Sequence, residues 1–82
     1  MKIGTLLKLK EGEARWCVRW TPAPRDNGTW YWMYADDVRV EDEFIVFLGH
    51  HEGDTLSKSV GCFLSVSQGI IWLSKHNFVE VK

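Results

Sequence analysis

Glu43-Phe44-Ile45-Val46-Phe47-Leu48, Gly61-Cys62-Phe63-Leu64-Ser65-Val66 and Ile70-Ile71-Trp72-Leu73, followed by Ser74-Lys75-His76-Asn77-Phe78-Val79-Glu80-Val81, form the stretch whose reading decides the fold. Residues 44–48 are apolar on both faces, as expected of a well-covered strand. In 60–66 the apolar Val60, Cys62, Leu64 and Val66 alternate with Gly61, Phe63 and Ser65, the period of two that a strand requires. Ser67-Gln68-Gly69 supplies turn chemistry between two such runs.

Working outward, the same alternation occurs in 3–10, where Leu7 and Leu9 alternate with Lys8 and Lys10. It recurs in 15–20 (Trp16, Val18 and Trp20 against Arg15, Cys17 and Arg19) and in 29–35 (Trp30, Trp32 and Tyr34 against Tyr31 and Met33). With 70–73 and 79–82 this predicts about 5–7 short antiparallel strands in a single all-β domain spanning 1–82. Turns are expected at Glu11-Gly12-Glu13, across Thr21–Gly28 with its two prolines, and in the polar segment 49–59. Strands so closely spaced favour a small closed barrel, because closure removes exposed edges.

The decisive stretch resembles the second half of a Src-homology-3-like (SH3-like) barrel. In that family two long strands meet across a distal loop, a Gly-led strand ends in one turn of 3₁₀ helix, and a short last strand pairs with the first. Residues 74–77 stand where the 3₁₀ turn would be, and Met1–Lys10 looks like the opening strand. The resemblance covers about residues 1–10 and 43–82. Such openings and Val-Glu-Val endings are also similar to those of small proteins of tailed bacteriophages, which implies a phage accessory protein modulating a host factor in the host cytoplasm. Polyproline recognition does not carry over: Cys62-Phe63 stands at the family's Trp, Leu73-Ser74 at its Pro, and Phe78, without a hydroxyl, at its Tyr. The segment 14–35 is an enlarged aromatic hairpin relative to the family pattern.

Eleven aromatic residues include five Trp, and six of the eleven lie between Trp16 and Tyr34. Pairing Trp20 with Trp30, Val18 with Trp32 and Trp16 with Tyr34 would gather five aromatics on one face and set Arg19 over Tyr31. A core this small cannot bury both this hairpin and the C-terminal strands, so part of the set is expected at an interface, where Trp, Tyr and Arg dominate binding. The ordinary role of such residues is to fill the core.

Net charge is −1, against both a general phosphate-backbone binder and a wholesale DNA mimic. The charge is uneven: basic over 1–25, acidic over 26–54, mildly basic thereafter. Asp36, Asp37, Glu41, Asp42 and Glu43 form the densest acidic run, expected as a solvated loop that could steer a basic partner. The expected partner-binding residues are Trp20, Arg25, Trp30, Tyr31, Asp36 and Asp37. The partner is a protein, or a second copy joined through the hairpin. The alternative is single-stranded nucleic acid, stacked on the tryptophans beside Lys8, Lys10, Arg15, Arg19 and Arg25.

No catalytic site, cofactor or metal is expected. His50, His51, Glu52 and Asp54 cluster without metal-motif spacing, and His76 is distant. Cys17 and Cys62 sit in strand patterns as small buried hydrophobes, reduced in a cytoplasmic protein. No apolar run approaches the ~20 residues of a membrane helix, and Met1-Lys2-Ile3-Gly4 has no signal-peptide pattern.

Overall fold

The computed structural model describes residues 1–10, 12, 15–51 and 59–81. Among these residues, seven strands form one antiparallel sheet: β1 (Leu6–Leu9), β2 (Trp16–Pro24), β3 (Trp30–Arg39), β4 (Ile45–Gly49), β5 (Val60–Ser65), β6 (Gly69–Ser74) and β7 (Phe78–Glu80). One turn of 3₁₀ helix, Lys75–Asn77, joins β6 to β7. The order across the sheet is β3-β2-β6-β5-β4-β1-β7, leaving β3 and β7 as its two edges. The last strand pairs with the first, with Leu7 opposite Glu80 and Leu9 opposite Phe78.

Alternation sets the inner face. Leu7, Cys17, Ile45, Phe47, Phe63, Ile71, Leu73 and Phe78 are buried in one cluster with Val40, and Leu9 and Val38 pack against it. Because Val38 belongs to one edge strand and Phe78 to the other, the sheet curls far enough for all seven strands to share this core. Phe63 is its centre, with ring centroids 5.7 Å from Phe47 and 5.4 Å from Phe78. Gly61 is required here: a Cβ would come within 2.9 Å of Phe47 and 3.0 Å of Lys75, closer than packed atoms allow.

The hairpin departs from the expected pairing in three ways. Its strands extend through the prolines, so the turn is 25–29 rather than 21–28. There the Arg25 N–H donates to the Thr29 carbonyl at 2.8 Å, and Asn27 Oδ1 accepts from the Thr29 N–H. The register is also shifted by several residues: Trp20 faces Tyr34, Pro22 faces Trp32 and Trp16 faces Arg39. Finally, the register slips between Arg19 and Trp20. Arg19 faces Asp36 and Trp20 faces Tyr34, so Ala35 is the extra residue of a β-bulge. The bulge turns Trp30, Trp32 and Tyr34 to the outer face and Asp36 and Val38 to the inner one.

The hairpin is also no free appendage. β2 pairs with β6, Arg19 opposite Leu73 and Trp20 opposite Trp72. The acidic run is likewise not a single solvated loop: Asp36 and Asp37 lie within β3. Asp42 ties the loop after β3 to the β5–β6 turn, accepting from the Ser65 hydroxyl at 2.5 Å, the Ser67 hydroxyl at 2.9 Å and the Ser67 N–H at 3.2 Å. β1 begins at Leu6 rather than Ile3, because residues 2–5 turn back, the Thr5 N–H donating to the Lys2 carbonyl.

Candidate functional site: the outer face of the β2–β3 hairpin

Trp72 lies between the buried Ile71 and Leu73, so alternation points it out of the core. It meets Trp32 at 5.3 Å between ring centroids, and Trp32 meets Trp30 at 5.0 Å, nearly perpendicular. The three indoles surround the His51 imidazole, whose centroid is 4.5 Å from Trp30, 5.5 Å from Trp72 and 5.8 Å from Trp32. All three tryptophans are only partly buried. This forms an aromatic box on the side of the sheet opposite the main core.

Beyond the box, Trp20 anchors the hairpin to β6. Its indole N–H donates to the Ser74 hydroxyl at 3.1 Å, and its ring meets Tyr34 edge-on at 6.5 Å. Tyr34 is 54% exposed. Partial desolvation, the Asp37 carboxylate and, more weakly, Asp36 push its phenol above the usual range. The outer face thus runs from indoles through a phenol to an exposed carboxylate.

The six residues expected at the binding surface do not share one face. Trp20, Trp30 and Asp37 lie on the outer face. Tyr31 alternates to the other side, where Arg25 stacks 5.0 Å from its ring centroid. The expected Arg19–Tyr31 contact is replaced by a forked ion pair, Arg19 Nε to Asp36 Oδ1 at 2.6 Å and Nη2 to Oδ2 at 2.8 Å. That hydrogen bond and the attached charge hold the Asp36 carboxyl below its ordinary range. Its charge is therefore compensated within the hairpin, and Asp37 presents the negative charge outward. Arg39 pairs with Glu41.

Trp32, Trp72 and His51 were not among the expected contacts. Trp72 was legible from its position between two core residues, but nothing local tied it to Trp32, forty residues away.

His50 and His51 diverge: His50 Nε2 lies 2.8 Å from Lys75 Nζ while His51 sits among the indoles. Glu52 and Asp54 lie outside the described residues, and the described residues contain no group of three or more His, Cys, Asp or Glu placed to hold a metal. Cys17 and Cys62 are both buried, and burial pushes the Cys62 thiol up, away from nucleophilic character. No described helix is long and apolar enough to cross a membrane. No protein-family model, curated protein or solved structure matches the chain.

Proposed function

We propose that this chain is a non-catalytic protein-interaction module built on a small SH3-like barrel, and that it binds a basic segment of a protein partner through the outer face of its hairpin. The carrying observation is the half-exposed box of Trp30, Trp32 and Trp72 lying on the same face as Tyr34 and Asp37. Indole faces attract cationic side chains, and a neighbouring carboxylate adds orientation and encounter rate. The β1–β7 pairing, the 3₁₀ turn and the core shared between the two edge strands support the barrel reading. In the phage setting that the sequence resemblance implies, the partner is a host protein in the cytoplasm.

The test is a titration of the protein with a lysine-rich peptide and with random single-stranded DNA, followed by tryptophan emission across a salt series. Peptide binding that weakens with salt and is lost in Trp30→Ala and Asp37→Asn supports the reading. Micromolar DNA binding with a steep salt slope favours the alternative nucleic-acid reading, for which the exposed Arg25–Tyr31 stack is the relevant feature. Acrylamide-inaccessible, uniformly blue-shifted tryptophans would sink both.

A further inference from the structure

A second apolar surface lies beyond the hairpin, on the strands from β6 to β1. On β1, β4, β5 and β6 the residues flanked by buried neighbours point outward, and the registers align them. Leu6 faces Val46, Val46 faces Leu64, and Leu64 faces Ile70. Val81 continues the row, its N–H donating to the Leu6 carbonyl at 3.0 Å. The result is one row of five aliphatic side chains across five neighbouring chain segments. Phe44 and Val66 flank it, continuing the β4 and β5 alternation at the side where those segments leave the sheet.

These side chains are open to solvent: Leu6 is 41% exposed, Leu64 44%, Ile70 67% and Val66 94%. Taken as whole residues, their exposed parts with those of Phe44 and Val81 come to roughly 600 Å², large for one patch on a monomer. A standard interface takes about 800 Å² from each partner, about 65% of it apolar in homodimers. The row together with its flanking Phe44 and Val66 is therefore of the size one subunit contributes to a stable dimer.

We infer that this row is an isologous interface between two copies of the chain, packed sheet face on sheet face. A two-fold interface needs a surface that complements itself. A row of aliphatics without a charged member does so, since each side chain can meet another of its own kind. Faces of twisted sheets pack at about 10 Å with their strands aligned within about 30°, and the outward row is one layer of such a sandwich. This assignment moves self-association off the hairpin, where the sequence alone had placed it, onto the part of the outer face that borders the aromatic box at β6, where Ile70 lies two residues from Trp72.

The experiment measures mass by light scattering and sedimentation over a concentration series, for wild type, Ile70→Lys, Leu64→Lys and, as a hairpin control, Tyr31→Ala. A dimer that each lysine substitution weakens by about tenfold or more, and that Tyr31→Ala leaves intact, is the expected result. A wild-type monomer throughout the series overturns the inference, as does a dimer that survives both lysine variants. Amide chemical-shift changes on dilution of the wild type read the same surface without a substitution. They are expected at Leu6, Val46, Leu64 and Ile70, and changes confined to β3 instead overturn the assignment. None of these readouts depends on the peptide-binding proposal, so either can fail alone.

Discussion

The five strands β1 and β4–β7 and the two strands of the hairpin carry comparable apolar content but use it differently. In the first group one face is buried, and the other carries exposed aliphatics at Leu6, Leu64 and Ile70 beside the buried Val60 and Cys62 and the partly buried Trp72. In the hairpin both faces are mixed: Cys17 and Val38 reach the main core, while Trp20 and Trp32 turn away from it into a second, half-wet cluster. The first group draws its stability from one continuous core, and the hairpin from lateral docking on β6. The lesson is that crowding of aromatics marks neither core nor interface by itself. Which face they take depends on a bulge of one residue.

The largest test of this contrast is Phe63→Ala. Phe63 is fully buried between Phe47 and Phe78, so its truncation should cost about 3–5 kcal/mol, read as a lowered urea midpoint. Trp16→Ala in the hairpin removes a larger side chain that is 58% exposed and should stay within about 0.5 kcal/mol of wild type. Equal losses would mean that the hairpin shares the core fully and that the contrast is false.

A smaller effect is expected where the two regions are laced together. Burial pushes the Asp42 carboxyl up, but the hydrogen bonds from Ser65 and Ser67 outweigh it and hold the group below its ordinary value of 3.8. A carboxyl lowered in the folded state adds stability that is present above its unfolded value and is lost as pH falls through the folded one. Asp42→Asn should therefore destabilise by about 1–2 kcal/mol near neutral pH, and the gap from wild type should close as pH falls below the ordinary carboxylate range. Urea melts at several pH values check this; a gap independent of pH would assign the loss to geometry alone.

The smallest effect concerns docking of β2 on β6. Trp20→Phe removes the donor to Ser74, which is 7% exposed, and should cost about 1 kcal/mol. Faster amide exchange should follow along Trp16–Pro24 while β4 and β5 stay protected. Exchange that quickens everywhere would mean that the hairpin and the core open as one unit.

Much of this architecture was legible beforehand because alternation is local. Leu7 and Leu9 alternate with lysines, so the inner face of β1 is visible within a few residues, whereas β5 sends Phe63 and Ser65 inward and Leu64 outward, the reverse of its apolar alternation. The 3₁₀ turn and the β1–β7 pairing, expected only from the resemblance to a barrel family, are both present. The hairpin register was not legible, because Trp16–Trp20 and Trp30–Tyr34 are apolar at so many positions that several registers bury similar area. Prolines at 22 and 24 argued for a loop, yet both fit within β2. The candidate site suffered most. Six residues chosen from one hairpin divide between two faces, and the two indoles that complete the box with Trp30 are Trp32 and Trp72.

The sequence by itself determined the all-β class, the approximate strands, the inner positions of β1 and the uneven charge, because each depends on the period of two or on composition. Only the tertiary structure decided the bulge at Ala35, the docking of β2 on β6, the capture of Asp36 by Arg19 and the meeting of His51 with three tryptophans. These depend on registers between segments distant in the chain, where the balance is set by fitting side chains against each other rather than by any local preference.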